Sequence, residues 1–303
     1  MRRRLTWTVV LVLAALGGAG LATAADRPPT DGTRLELTWR TEQIGRPWIE
    51  SMNAQLVAVE EEMDTLASSG RQALTRLAQL DPAAIDGALA DGDASSQRLG
   101  ELLATLEGMR DQQRAEAADA RLGSSSRQRL ATIDGAADAV AGARVAWADV
   151  GAASRRVTRL LEALARHDEL VFAATTAGRQ ERFADALDLL SQAEEPLFEA
   201  EALRDELAEY ATVDTLDDLL RRYVAYDAAL YALYDEVERS GTQDSPRVRE
   251  LLAGVERALA ALPADTTALQ VIVAEAAGPA VAEGLVTIEQ ARGVVNAALG
   301  LVP

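Results

Sequence analysis

From Ile49 to Leu80 the chain alternates steps of three and four between apolar positions. Ile49, Met52, Leu56, Val59, Met63, Leu66, Ala73, Leu77 and Leu80 fall into one series, and only Gly70 interrupts it. An α-helix with this pattern carries a continuous apolar seam, the a/d stripe of a heptad repeat. Glu60, Glu61, Glu62, Arg71 and Arg76 occupy the other positions, as a solvated face requires. The pattern predicts a long helix that starts at Pro47 and buries its seam against another helix.

Similar periodicity continues along the chain. Asp81-Pro82 has the N-cap and first-turn residues of a short segment. A helix is expected from about Asp93 to Arg121, with Leu99, Leu102, Leu103, Leu106 and Met109 on its apolar side. Gly123 ends it, and Ser124 to Ser126 can cap the next one. That helix runs from Arg127 towards Ala177 through Leu130, Ile133, Val140, Trp147, Val157, Leu161, Leu164 and Val171. After Gly178, Phe183, Leu187, Leu190, Leu197 and Leu207 mark a helix kinked or restarted at Pro196. Thr215 and Asp218 are spaced as a capping box with Asp in place of Glu. Behind them Leu216, Leu220, Tyr223, Leu230, Tyr234 and Val237 keep a heptad rhythm that Asp227 breaks. Ser240-Gly241 stops this helix, Ser245-Pro246 starts another, and two short helices meet at Gly278-Pro279.

No segment shows repeated strand alternation bounded by hairpin turns. The fold class expected is all-α, an elongated helical bundle with coiled-coil-like antiparallel long helices. Residues 47–211 would form the long-helix bundle, and 212–303 a C-terminal helical region packed on it or continuing it.

The beginning of the chain changes the picture of where such a bundle works. Met1-Arg2-Arg3-Arg4 precedes an apolar stretch, then glycines and the small-residue triplet Ala22-Thr23-Ala24. Basic start, apolar middle and small-residue end are the parts of a signal peptide, read here as residues 1–24 with cleavage after Ala24. An uncleaved signal anchor is the alternative, since Leu5 to Leu21 nearly reaches the length of a span. Residues 25–46 are read as a linker, with Pro28-Pro29, and an N-terminal cap around Leu35, Leu37 and Trp39. The protein is therefore expected outside the cytoplasm: extracellular, periplasmic or at the cell surface.

Composition narrows the chemistry. With no cysteine there is neither a disulfide staple nor a lipoprotein cleavage site. All 30 basic residues are arginine, which excludes a phosphate-loop lysine, a Schiff base and pyridoxal attachment. The net charge of −18 becomes −21 once three arginines leave with the signal. Such a surface repels nucleic acid and anionic lipid, so neither is an expected partner.

His167 is the only histidine. It rules out two-histidine zinc motifs and paired di-iron sites, and beside Asp168 and Glu169 it is expected on the solvated surface. Asp91-Gly92-Asp93 opens like a calcium loop, but Ser96 and Leu102 stand where glycine and glutamate are needed. It is read as a helix-capping turn. Asp217-Asp218 with Arg221 lacks the closing aspartate of a prenyl-transfer metal motif, and Leu262-Pro263-Ala264-Asp265 lacks the threonine of a sortase signal. Carboxylates could form an acid/base pair, yet only 4% of the chain is aromatic and sugar clefts need aromatic platforms.

No catalytic, cofactor or metal residue is assigned. The nearest approach to a binding surface is one face of a single helix carrying Tyr223, Tyr226, Leu230 and Tyr234. The competing reading packs these rings at the core edge with their hydroxyls reaching water. The function expected is binding or scaffolding, through a protein partner or self-association of helical faces. A membrane-active protein using the apolar segment Leu269 to Leu301 is the first alternative, and a carboxylate-dependent hydrolase the second.

Overall fold

The computed structural model of the protein describes residues 35–300 apart from 210, 242, 243 and 265, and only the backbone of 35–40 and 120. The signal segment 1–24, its cleavage site and the Pro28-Pro29 linker lie outside the described residues. Among those residues the regular structure is helical throughout: α1 (Leu35–Gln79), α2 (Pro82–Glu116), α3 (Ser124–Arg179), α4 (Phe183–Ala208), α5 (Asp214–Ser240), α6 (Pro246–Ala261), α7 (Thr267–Ala276) and α8 (Gly278–Leu299), with one 3₁₀ turn at Asp119–Arg121. This is the all-α fold that the periodicity predicts.

Several boundaries follow from local chemistry. Asp81 accepts a hydrogen bond from the Ala84 amide at 3.1 Å, and Ser245 accepts one from the Val248 amide, also at 3.1 Å, directly before Pro246. Gly241 closes α5 in the left-handed region at φ 62°, where a side chain is disfavoured.

Other boundaries differ from the sequence expectation. The segment assigned to a cap is the first part of α1, which continues through Pro47 despite the backbone donor proline lacks. Local bonds hold that segment: the Thr41 carbonyl accepts from the Gly123 amide at 3.3 Å, and Glu42 binds Ser125 and Ser126. Helix α2 runs unbroken through Asp91-Gly92-Asp93, so this is no capping turn. Pro196 likewise sits buried within a continuous α4. The Thr215/Asp218 capping box does not form, because α5 begins at Asp214 behind Val213 with no side-chain cap.

The chain divides into two compact units. Among the described residues, those up to 72, 87–150 and those from 282 form the first; those in 73–86 and 151–281 form the second. The division runs through α1, α2, α3 and α8, whereas the sequence division after residue 211 falls inside the second unit. In the first unit Met52, Leu56, Val59, Met63 and Leu66 of the α1 seam are fully buried, as are Leu99, Leu130 and Val140. Gly70, the gap in the seam, lies against Leu285, whose side chain occupies the place a Cβ would need. Trp147 covers Gly92 in the same way and donates its indole N–H to Asp93 at 2.8 Å. Arg110 is buried and binds both Asp119 and Asp134, fixing the 3₁₀ turn to α2 and α3.

The core of the second unit draws on four helices: Val171, Ala174 and Ala177 of α3, Ala186, Leu190 and Ala193 of α4, Tyr226, Leu230, Leu233, Tyr234 and Val237 of α5, and Val248 and Val255 of α6. Burying a leucine of this kind contributes roughly 1.5–3 kcal/mol.

Among the described residues, no single helix is long and apolar enough to cross a membrane; α7 and α8 reach that composition only together, with a 52° bend between them. Their apolar positions Ile272, Val273, Val281, Leu285, Ile288 and Val295 are buried. Two of the four charges that interrupt the segment are paired, Glu289 with Arg71 and Arg292 with Asp64, the latter at 2.7 Å.

Candidate functional site

The expectation of a solvated histidine is overturned. His167 is 0% exposed. On α3 it occupies the seam position between Leu164 and Val171, and on α5 Asp227 occupies the corresponding position between Tyr223 and Leu230. The rhythm that Asp227 breaks is therefore broken on both helices, and the two polar residues meet. Nε2 of His167 lies 2.8 Å from Asp227 Oδ2, and Nδ1 lies 3.2 Å from Asp168 Oδ1. The Tyr223 ring stands edge-on to the imidazole, centroids 4.8 Å apart, and its hydroxyl donates a long 3.5 Å bond to Asp168 Oδ2.

Burial alone would keep this imidazole neutral. The hydrogen bonds and charges of Asp168 and Asp227 outweigh that, and the pKa rises from 6.5 to about 9. His167 is thus an imidazolium at neutral pH, with both N–H groups donated. Burial, with the Asp168 charge next, pushes the Tyr223 phenol above its ordinary range. A general base needs an accessible neutral nitrogen within reach of a substrate proton, and this ring offers none. What the arrangement does is join α3 to α5 through an ion pair placed in an otherwise apolar seam.

The expected tyrosine surface is placed by the same helix. Tyr226, Leu230 and Tyr234 are buried in the core, and Tyr223 is half-buried beside His167. The face that carries them is the inward face, so a partner meets little of it. Tyr234 lies over Gly178, whose missing Cβ would stand 2.5 Å from the ring. Tyr231, on another side of α5, is the exposed one.

A shallow open groove of about 660 Å³ in the first unit is lined by Glu42, Arg46, Ile49, Ser126, Arg129 and Thr132. Most of its charged groups already have partners. Glu42 accepts from the Ser125 and Ser126 amides, each at 3.1 Å, at the start of α3. Partial burial opposes its charge, but these bonds and those of the serine side chains hold its carboxyl below the usual range. Arg46 pairs with Glu50, and Arg129 donates to Asn53, both at 2.7 Å. Asp217 and Asp218, considered above for a metal, pair with Arg204 and Arg222. Among the described residues no three histidine or carboxylate side chains are grouped as metal ligands.

What the sequence reading missed lies outside. Phe172 of α3 is 69% exposed and Phe198 of α4 is 73% exposed. Each follows a pair of acids by three and four residues, Asp168-Glu169 and Glu194-Glu195, which places those acids on the same side of its helix. The signal was legible as two short stretches, Asp168-Glu169-Leu170-Val171-Phe172 and Glu194-Glu195-Pro196-Leu197-Phe198. Comparison of the chain with protein-family models, curated proteins and solved structures gives no match.

Proposed function

We propose that this is an exported helical-bundle protein that acts by binding or scaffolding, and that its partner is a protein. The observation that carries this reading is the exposure of Phe172 and Phe198. Phenylalanine is among the residues most often buried, and two rings left in water are a standing cost that a partner surface would remove. The buried charges support the same reading from the other direction, because the His167 and Arg110 clusters spend their hydrogen bonds inside the fold. Export rests on the basic, apolar and small-residue order of residues 1–24, with the mature chain beginning at Ala25 and carrying no lipid.

The test is comparative capture from the surface of the native cell. The wild-type protein and the double variant Phe172→Ser/Phe198→Ser are used as baits, with quantitative mass spectrometry of what each retains. The reading expects a protein retained by the wild type and depleted at least tenfold on the variant. Identical retention by both baits contradicts it.

A further inference from the structure

The outer face of α4 carries a charge imbalance that the fold does not use. Its 26 residues include eight carboxylates and one arginine, Arg204. Four of the acids are paired: Asp185 with Arg182, Glu199 with Arg166, Asp205 with Arg204 and Glu206 with Arg156. Glu194 and Glu195 are exposed and form no ion pair with any described residue. They stand four and three residues before Phe198, and Glu201, half-buried and within the field of Arg204, stands three after it, so all three carboxylates border the ring on one side of the helix. The opposite side, with Ala193, Leu197, Ala200 and Leu203, is buried and supplies the packing.

We propose that this face is a docking site for a cationic amphipathic protein segment, whose apolar side covers Phe198 while its lysines or arginines meet Glu194, Glu195 and Glu201. The proposal rests on the binding reading above and names its partner class. Charge selects the occupant. A second copy of a chain with net charge −18 brings mainly acidic surface to an acidic face, and phosphate-bearing lipid or nucleic acid is repelled in the same way. A neutral apolar partner would cover the ring but strip water from three carboxylates without replacing it. A cationic segment satisfies both the ring and its border.

Binding is measured by fluorescence anisotropy on the full chain, with a labelled amphipathic peptide of leucine and lysine as the probe and oligolysine of equal charge beside it. The variants are Phe198→Ser, the triple Glu194→Gln/Glu195→Gln/Glu201→Gln, and a control triple, Glu101→Gln/Glu107→Gln/Glu116→Gln, which removes equal charge from exposed positions of α2. The substituted positions are exposed apart from the half-buried Glu201, and melting temperature serves as the check on folding. The expected result is at least tenfold weaker peptide binding for both α4 variants, less than a twofold change for the control, weaker binding to oligolysine, and affinity that falls with salt. Equal weakening by the control triple would reduce the effect to net charge and overturn the proposal. Unchanged binding by Phe198→Ser would overturn it too. If the peptide fails while the captured protein still depends on Phe172 and Phe198, the partner class is wrong and the binding reading stands.

Discussion

His167 and Asp227 show how single residues set the terms of this fold. The folded pKa of His167 lies near 9 against 6.5 when unpartnered, so the folded state holds its proton more tightly than the unfolded chain. The stabilisation this brings is fully present below about pH 6.5 and is lost as pH rises through about 9. Its size is on the order of 3 kcal/mol for a shift of this extent. Denaturant melts between pH 6 and 10 should show this decline, and His167→Gln should flatten it over that window. Removing the cation also leaves the part-buried Asp227 carboxylate without its partner, which adds to the loss. Glycines give a second test at this scale. Gly92→Ala and Gly178→Ala push a methyl group into Trp147 and Tyr234, at about 1–3 kcal/mol each. Gly87, also helical but with open space around it, should gain roughly 0.5–1 kcal/mol as alanine. Calorimetry on the three variants checks the contrast. Little of this was legible beforehand: Asp227 stood out as a break in a rhythm, but a sequence does not say which helix faces it. A lone histidine between two acids looks solvated until the seam of its own helix is traced through Leu164 and Val171.

At the scale of elements the sequence was more informative. Apolar periodicity survives whatever the helix packs against, so the α1 seam was readable as buried before any partner was known, and Met52 to Leu77 are buried. Leu56→Asp removes a fully buried leucine and introduces a charge; the truncation alone should cost about 2–5 kcal/mol. Glu61→Gln, on the exposed side, should stay within about 0.5 kcal/mol. Thermal melts beside sedimentation separate the two, and an Leu56→Asp protein that melts like its parent would mean the seam is not buried in solution. The ends of elements were less legible. Pro47, Pro196 and Gly92 all carry breaker chemistry, yet each sits inside a continuous helix, because neighbouring contacts outweigh local propensity. Gly92 is needed for the close approach of Trp147, which only the tertiary structure displays. The Ser245-Pro246 start and the Gly241 stop were read correctly, since a cap is satisfied within its own few residues.

Across the whole molecule the polar chemistry falls into two groups. Charges in the core hold helices to one another, and the proposed binding contacts sit on the outside around Phe172 and Phe198. Helical periodicity without strand alternation made the all-α class plain, while the exposed phenylalanines left only a faint mark, the acid pair three and four residues before each ring, which apolar periodicity does not register. The division is tested most directly by measuring stability and partner capture on the same two proteins, Asp227→Asn and Phe172→Ser/Phe198→Ser, at a temperature where both remain folded. Asp227→Asn is predicted to melt lower and still capture the partner, and the double phenylalanine variant to melt like the parent and lose it. An Asp227→Asn protein that keeps its melting temperature but loses the partner would make the buried His167 cluster the functional site and contradict the account.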